Sequence, residues 1–275
     1  MSDGLSSPLK RWLTALVVLP IVLALIWVPG LHWGLTLFVA LVGGVGLHEY
    51  YGLVQKKDLH PEILGGLAAG LAVVLSAYFG DPRYTNAALM GAIVIVVFLH
   101  VIHPPPSTAA IAASVFGILY LGWFPAHILL LHAMNGDGPG IVMLLLVAVA
   151  LTDTAAYFVG KNFGSRPLAP IVSPKKTWEG AAGGFVFAVL GMGVLYALRT
   201  KMDWTALPDW SWARYLLSGA LVSAAAQVGD LVASCFKRDA DVKDSGRLFP
   251  GHGGALDRFD GFLFAAPVLY YMVVF

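Results

Sequence analysis

A chain that repeatedly runs through about 20 apolar residues between short polar breaks has few folds open to it, because a helix of that length crosses a bilayer while satisfying its own backbone. This sequence does so at roughly Trp12 to Val28, His32 to Leu53, Ile63 to Tyr78, Ala87 to Ile102, Ala109 to Met134, Ile141 to Gly160, Gly180 to Leu198, Tyr215 to Phe236 and Phe259 to Phe275. About nine transmembrane helices are therefore expected, in an all-α polytopic integral membrane protein forming a single transmembrane domain over residues 1–275. Two runs are less regular. The fifth carries Gly122 and Pro125, which predict a kink or a broken helix, and the ninth is short, its helix expected to begin within Gly254 to Asp260. A composition of 58% hydrophobic and 12% charged residues excludes an ordinary soluble domain.

Loop charges orient the spans. With nine crossings, Lys10 and Arg11, Lys56 and Lys57, the group Lys161, Arg166, Lys175 and Lys176, and the stretch Lys237 to Arg258 all share one face, which the positive-inside rule makes cytoplasmic together with the N-terminus. Trp12, Trp27, Trp33, Trp178, Trp204 and Trp210 stand near span ends, as interfacial belts require. The opening MSDGLSSPLKRW leads into the first run without an A-x-A-like cleavage site, so that run reads as a retained span. Pro104 to Pro106 and Asn135 to Gly140 punctuate the spans, and no internal repeat is evident. The net charge of +1 argues against nucleic acid as a partner, and the single cysteine, Cys235, excludes an intramolecular disulfide.

Against this background the segment from Asp230 to Asp260 stands out, since it holds 11 of the 33 charged residues. Charge so concentrated beside hydrocarbon is costly unless it meets ions or charged ligands. Asp257 and Asp260 are three apart, so a helix places both carboxylates on one face, and such hard oxygen donors suit Mg²⁺ completed by substrate phosphates and water. Asp230 lies near the cytoplasmic end of the eighth run and could approach them from a neighbouring helix. The alternative is that the pair only favours the start of the ninth helix. Pro250-Gly251-His252-Gly253-Gly254 precedes that helix start, so its amides either face an anion or form an ordinary connector.

The run Ser173-Pro174-Lys175-Lys176-Thr177-Trp178-Glu179-Gly180 offers lysines, hydroxyls and an aromatic for phosphates, although basic residues at a helix end are also routine topology signals. Asp153 lies inside the sixth run and needs a cation or metal as partner. His48-Glu49 lacks the second histidine of a metalloprotease motif, and no P-loop or dinucleotide fingerprint occurs. These readings divide the chain into N-terminal spans over about 1–140 and catalytic spans with charged loops over 141–275.

Written as S-x-x-K-R-x4-K-D-S-G-x-x-F-P-G-H-G-G-x-x-D-R-x-D, the segment Ser234 to Asp260 resembles the signature of phosphatidate cytidylyltransferases, or CDP-diacylglycerol synthases. Asp153, Ala156-Tyr157, Gly160, Gly164 and the run Ser173 to Gly180 resemble that family's second signature region, while Ala255 departs from the larger aliphatic residues common at its position. The resemblance implies transfer of a cytidylyl group from CTP to phosphatidic acid, giving CDP-diacylglycerol and pyrophosphate, with Mg²⁺ as cofactor and a companion such as K⁺ left open. It also implies membrane lipids and a second copy of the chain as partners, while a compact polytopic chain without an organelle presequence leads us to expect a bacterial cytoplasmic membrane as location.

Carried onto this sequence, the resemblance implies catalytic roles for Asp230, Lys237, Arg238, Asp257 and His252. Metal binding falls to Asp230, Asp257 and Asp260, with Asp153 as a further candidate. Substrate contacts fall to Ser173, Lys175, Lys176, Thr177, Ser234, Lys243, Asp244, Gly253, Gly254 and Arg258, with the site at the cytoplasmic membrane face. Another membrane lipid phosphotransferase and an anion transporter are the alternatives. The spacing D-G-x2-A-R-x8-G-x3-D-x3-D of CDP-alcohol phosphotransferases is absent, and charges gathered at one face do not match transporters with midplane sites.

Overall fold

With no water available in hydrocarbon, each apolar run can pair its peptide groups only with itself, and each folds as a helix. The computed structural model describes residues 7–103, 107–246 and 253–275, and 78% of these residues are helical. In order these are α1 (Ser7–Trp27), α2 (His32–Gln55), α3 (Ile63–Ser76) with a 3₁₀ turn to Phe79, α4 (Pro82–Ile102), α5 (Thr108–Ile118), α6 (Phe124–His132), α7 (Gly138–Phe163), α8 (Trp178–Lys201), α9 (Trp212–Asp239) and α10 (Leu256–Val274).

Among the described residues six helices are long and apolar enough to cross a membrane: His32–Gln55, Pro82–Ile102, Thr108–His132, Gly138–Phe163, Trp178–Lys201 and Trp212–Asp239. Val18–Trp27 and Ile63–Phe79 are apolar but shorter. The protein is thus a multi-pass membrane protein, and among the described residues length and composition alone carry six of the crossings. The first five residues of α10 include Asp257, Arg258 and Asp260, which shortens its apolar part. Side chains such as Met90, Val94, Ile95 and Phe98 on α4 and Phe185, Phe187, Leu190 and Val194 on α8 are exposed, an outer surface suited to lipid.

The structure adds detail to two expectations. The fifth run is one continuous helix, with a π turn at Leu119–Trp123 joining α5 to α6. Pro125 has no amide to offer the carbonyl of Leu121, so the ladder widens there, and that carbonyl sits against Gly43 of α2. One short hairpin also accompanies the helices of this all-α fold: β1 (Pro167–Ala169) and β2 (Ser173–Thr177) are antiparallel, pairing Pro167 with Thr177 and Ala169 with Ser173. Pro174 holds Ser173 extended, and Thr177 ends the strand by capping α8, its Oγ1 accepting from the Gly180 amide at 3.1 Å.

Small residues bring α7, α8, α9 and α10 together. A Cβ on Gly184 of α8 would stand 2.7 Å from the Thr152 carbonyl of α7, and one on Gly229 of α9 would collide with the Asp260 carbonyl of α10. Such close approach is how helices associate where the hydrophobic effect cannot drive them. Polar side chains add cross-links, with Thr152 donating to Ser223 at 2.9 Å and Gln227 donating to the Ala181 carbonyl at 3.2 Å. Gly184→Val is expected to destabilise the fold by about 1–3 kcal/mol through overpacking, read as a lower unfolding midpoint in detergent.

Candidate active site

Three helices and the hairpin enclose a cavity of about 500 Å³. Helix α7 lines it with Thr152, Asp153, Ala156, Tyr157, Gly160 and Lys161, and α9 contributes Gln227 and Asp230. The hairpin and the start of α8 supply Leu168, Lys175, Lys176, Thr177, Gly180 and Ala181. Two motifs far apart in sequence therefore share one wall. Lys176 Nζ lies 2.6 Å from Asp230 Oδ2, an ion pair whose members are roughly one-third exposed. Glu179 fixes the hairpin's base by accepting from the Ser165 hydroxyl at 2.8 Å and from the Ser165 and Arg166 amides at 3.0 and 3.2 Å.

A second cluster lies at the start of α10. Lys237 Nζ is 2.6 Å from Asp257 Oδ1, while Asp257 Oδ2 accepts from the Ser245 amide at 2.9 Å, the Ser245 hydroxyl at 3.1 Å and the Gly254 amide at 3.0 Å. Asp260 accepts at 2.8 Å from the following Gly261 amide and interacts electrostatically with Asp230, Asp153 and Lys237, so it connects the two clusters. Arg258 is an electrostatic neighbour of Asp153.

Glu49 is the residue that the sequence reading passed over. Reaching from α2, its Oε1 accepts from the Ala255 amide at 3.0 Å and its Oε2 from the Leu256 amide at 3.0 Å and the Ser245 hydroxyl at 2.8 Å. The signal was an acid at the end of an apolar span, the same signal that singled out Asp230. Gln227 was also findable, standing three residues before Asp230 and hence on its helix face.

The bonding places the expected site residues as follows. The Gly254 amide is taken by Asp257 and the next two amides by Glu49, so this helix start is satisfied by protein carboxylates and does not face an anion freely. Gly253 is required for its backbone, at φ +83°, and Gly254 because a side chain there would collide with Glu49 and Ser245. Arg238 ties elements together, donating at 3.2 Å to the carbonyls of Val172 at the hairpin turn and Val242 beyond α9. Ser234 is buried on α9, whereas Lys243 and Asp244 are exposed. Ser173 opens β2 beside the cavity-lining lysines. His252 lies outside the described residues.

Among the described residues no three histidine, cysteine or acidic side chains converge tightly enough to cage a metal alone. The donor chemistry nevertheless fits Mg²⁺, which needs only one or two carboxylates besides phosphate and water. Asp230 and Asp257 are each neutralised by one lysine at 2.6 Å, and Asp260 accepts from its neighbour's amide. Positive charge is thus already drawn to the oxygens that a cation would use.

A sequence model described as the Cytidylyltransferase family matches residues 9–275. The chain belongs to this family. It is 34% identical to the phosphatidate cytidylyltransferase of Synechocystis sp. over 97% of both chains. Identity to the enzyme of that name from Bacillus subtilis is 31%, over 96% of this chain and 97% of the relative. The Brucella suis enzyme of that name is 35% identical, over 94% of this chain and 91% of its own. In this cytidylyltransferase the Lys176–Asp230 pair is only partly shielded, so Lys176→Met and Asp230→Asn should each cost about 1 kcal/mol of stability. The double variant should recover part of that loss, as measured by a double-mutant cycle of unfolding midpoints.

Proposed function

We propose that the protein transfers the cytidylyl group of CTP to phosphatidic acid, giving CDP-diacylglycerol and pyrophosphate for phospholipid synthesis. The observation that carries this reading is a cavity lined by both lysines and carboxylates, in a chain matched along nearly its full length by relatives named for this activity. The proposed setting is the cytoplasmic face of a bacterial inner membrane, with the N-terminus cytoplasmic and α1, α3 and α10 completing nine crossings. Membrane lipid is the surrounding partner, and a homodimer is the proposed assembly.

The chemistry asks little of a general base. The lipid phosphate is already anionic at neutral pH, and one of its oxygens attacks the α-phosphorus of CTP. A new P–O bond forms as the bond from the α-phosphorus to the oxygen bridging to the β-phosphorus breaks, and pyrophosphate leaves with that electron pair. Catalysis then consists of alignment and charge neutralisation. Lys175 and Lys176 would meet phosphate oxygens in the cavity, and Lys237, Arg238, Lys243 and Arg258 would add positive charge at the α9–α10 end. Ser173, Thr177, Ser234 and His252 would complete the polar contacts, while the Gly254 amide serves Asp257.

Mg²⁺ would be held by Asp230 and Asp257, with Asp260 or Asp153 beside them and room for a monovalent cation, and when bound would neutralise the charge that develops on the departing pyrophosphate. Lys176 and Lys237, released from those carboxylates, would then turn toward the triphosphate.

The test uses detergent-purified protein with phosphatidic acid, α-labelled CTP and Mg²⁺, following label into the organic phase. Label transfer is expected, abolished by chelator and reduced about 10³-fold or more in Asp257→Asn with the protein still folded, the scale seen when one charge-stabilising group is removed. Folded wild-type protein that transfers no label from any nucleoside triphosphate would overturn the reading.

A further inference from the structure

Helix α10 carries Asp257 and Asp260 in its first turns, yet Ala255, the residue that should cap it, offers no side-chain acceptor. Two of its leading amides are satisfied by a carboxylate more than 200 residues earlier in the chain, that of Glu49 on α2. Below this contact the α2–α10 interface is apolar, with Phe38 edge-on to Phe259 at 6.0 Å and a small cavity of about 40 Å³ lined by Gly43, Gly46, Ala255 and Leu256. Glu49 is therefore the polar link between the N-terminal spans and the helix that carries the acidic pair.

Its bonding reaches further than a cap. The Ser245 hydroxyl lies 2.8 Å from Glu49 Oε2 and 3.1 Å from Asp257 Oδ2, while the Ser245 amide donates to Asp257. A hydroxyl has one proton, so Ser245 gives it to Glu49 or shares it, and its amide orients Asp257. A line of contacts runs Glu49, Ser245, Asp257, Lys237. Glycines 246 and 254 leave room for it, since a Cβ on either would collide with the Glu49 carboxylate.

We propose that Glu49 is a positioning residue for the transfer reaction: through Ser245 and the first amides of α10 it fixes the orientation of the Asp257 carboxylate. The kinetic part of this inference rests on the activity proposed above, and the exchange part does not. In Glu49→Gln the side chain keeps one acceptor but must present an NH₂ to at least one of the donors that Oε1 and Oε2 now meet, so one end of the contact is lost without a change of size.

Hydrogen exchange by mass spectrometry of the folded Glu49→Gln protein is expected to be about tenfold faster over the peptide containing residues 254–256 and unchanged in α4 and α8. In the label-transfer assay, kcat should fall about tenfold or more, the scale of lost supporting contacts, while KM for CTP stays within about threefold. Ser245→Ala removes one hydroxyl and should lower kcat in the same sense, and adding Glu49→Gln to it should cost less than the two single effects combined.

Unchanged exchange at 254–256 overturns the proposed contact, whether or not the wild-type protein transfers label. Unchanged exchange combined with wild-type kcat overturns it fully. A rise in KM matching the fall in kcat would make Glu49 part of general site integrity and reject the positioning role. Should Glu49→Gln fail to fold, Ser245→Ala decides: full activity there rejects the inference.

Discussion

A carboxylate at the edge of hydrocarbon must find its countercharge or its donors before it can be enclosed, and this constraint organises the polar end of the molecule. Asp230 has Lys176, Asp257 has Lys237 with the Ser245 and Gly254 amides, Glu49 has the start of α10, and Glu179 has the start of the hairpin. Each pairing joins different segments of the chain. Neutralisation and assembly are therefore the same event, and the hairpin, α9 and α10 are held where their charges are matched.

The apolar part serves that arrangement by allowing close approach. Gly184 against Thr152 and Gly229 against Asp260 let backbones pack where branched residues would separate them, which keeps Asp153, Asp230 and Asp260 of three helices within electrostatic reach. The resulting cavity has a polar wall that no single helix provides. A phosphate entering it would meet ammonium groups already drawn inward by carboxylates, so part of the reorganisation that binding requires is complete beforehand.

The positions of the helices were legible in the sequence because hydrocarbon enforces a run of apolar residues whatever the tertiary context. α2 begins at His32 and α3 at Ile63, where the hydropathy pattern places them. Span number was less legible, since α10 mixes its first charged turn into the apolar run and α3 ends in a 3₁₀ turn. The hairpin escaped notice because SPKKT has no apolar alternation, and its extended shape comes from Pro174 and from the neighbouring strand. The charged motifs gave most of the cavity's residues. They did not give Glu49, whose importance is set by a contact across the fold that periodicity cannot encode, nor the engagement of Gly254 by Asp257, which depends on the positive φ of Gly253.

The separation between Glu49 and the amides it serves has a consequence for how the molecule is made. Helix α2 enters the membrane early in synthesis with an acid at its end, and the groups that satisfy that acid belong to the last helix described. Until α10 is made, two of the three donors that meet this carboxylate are missing, and the docking of α10 that supplies them also brings in Asp257 and Asp260. A chain interrupted before α10 therefore holds the hairpin lysines and Asp230 but lacks the acidic pair.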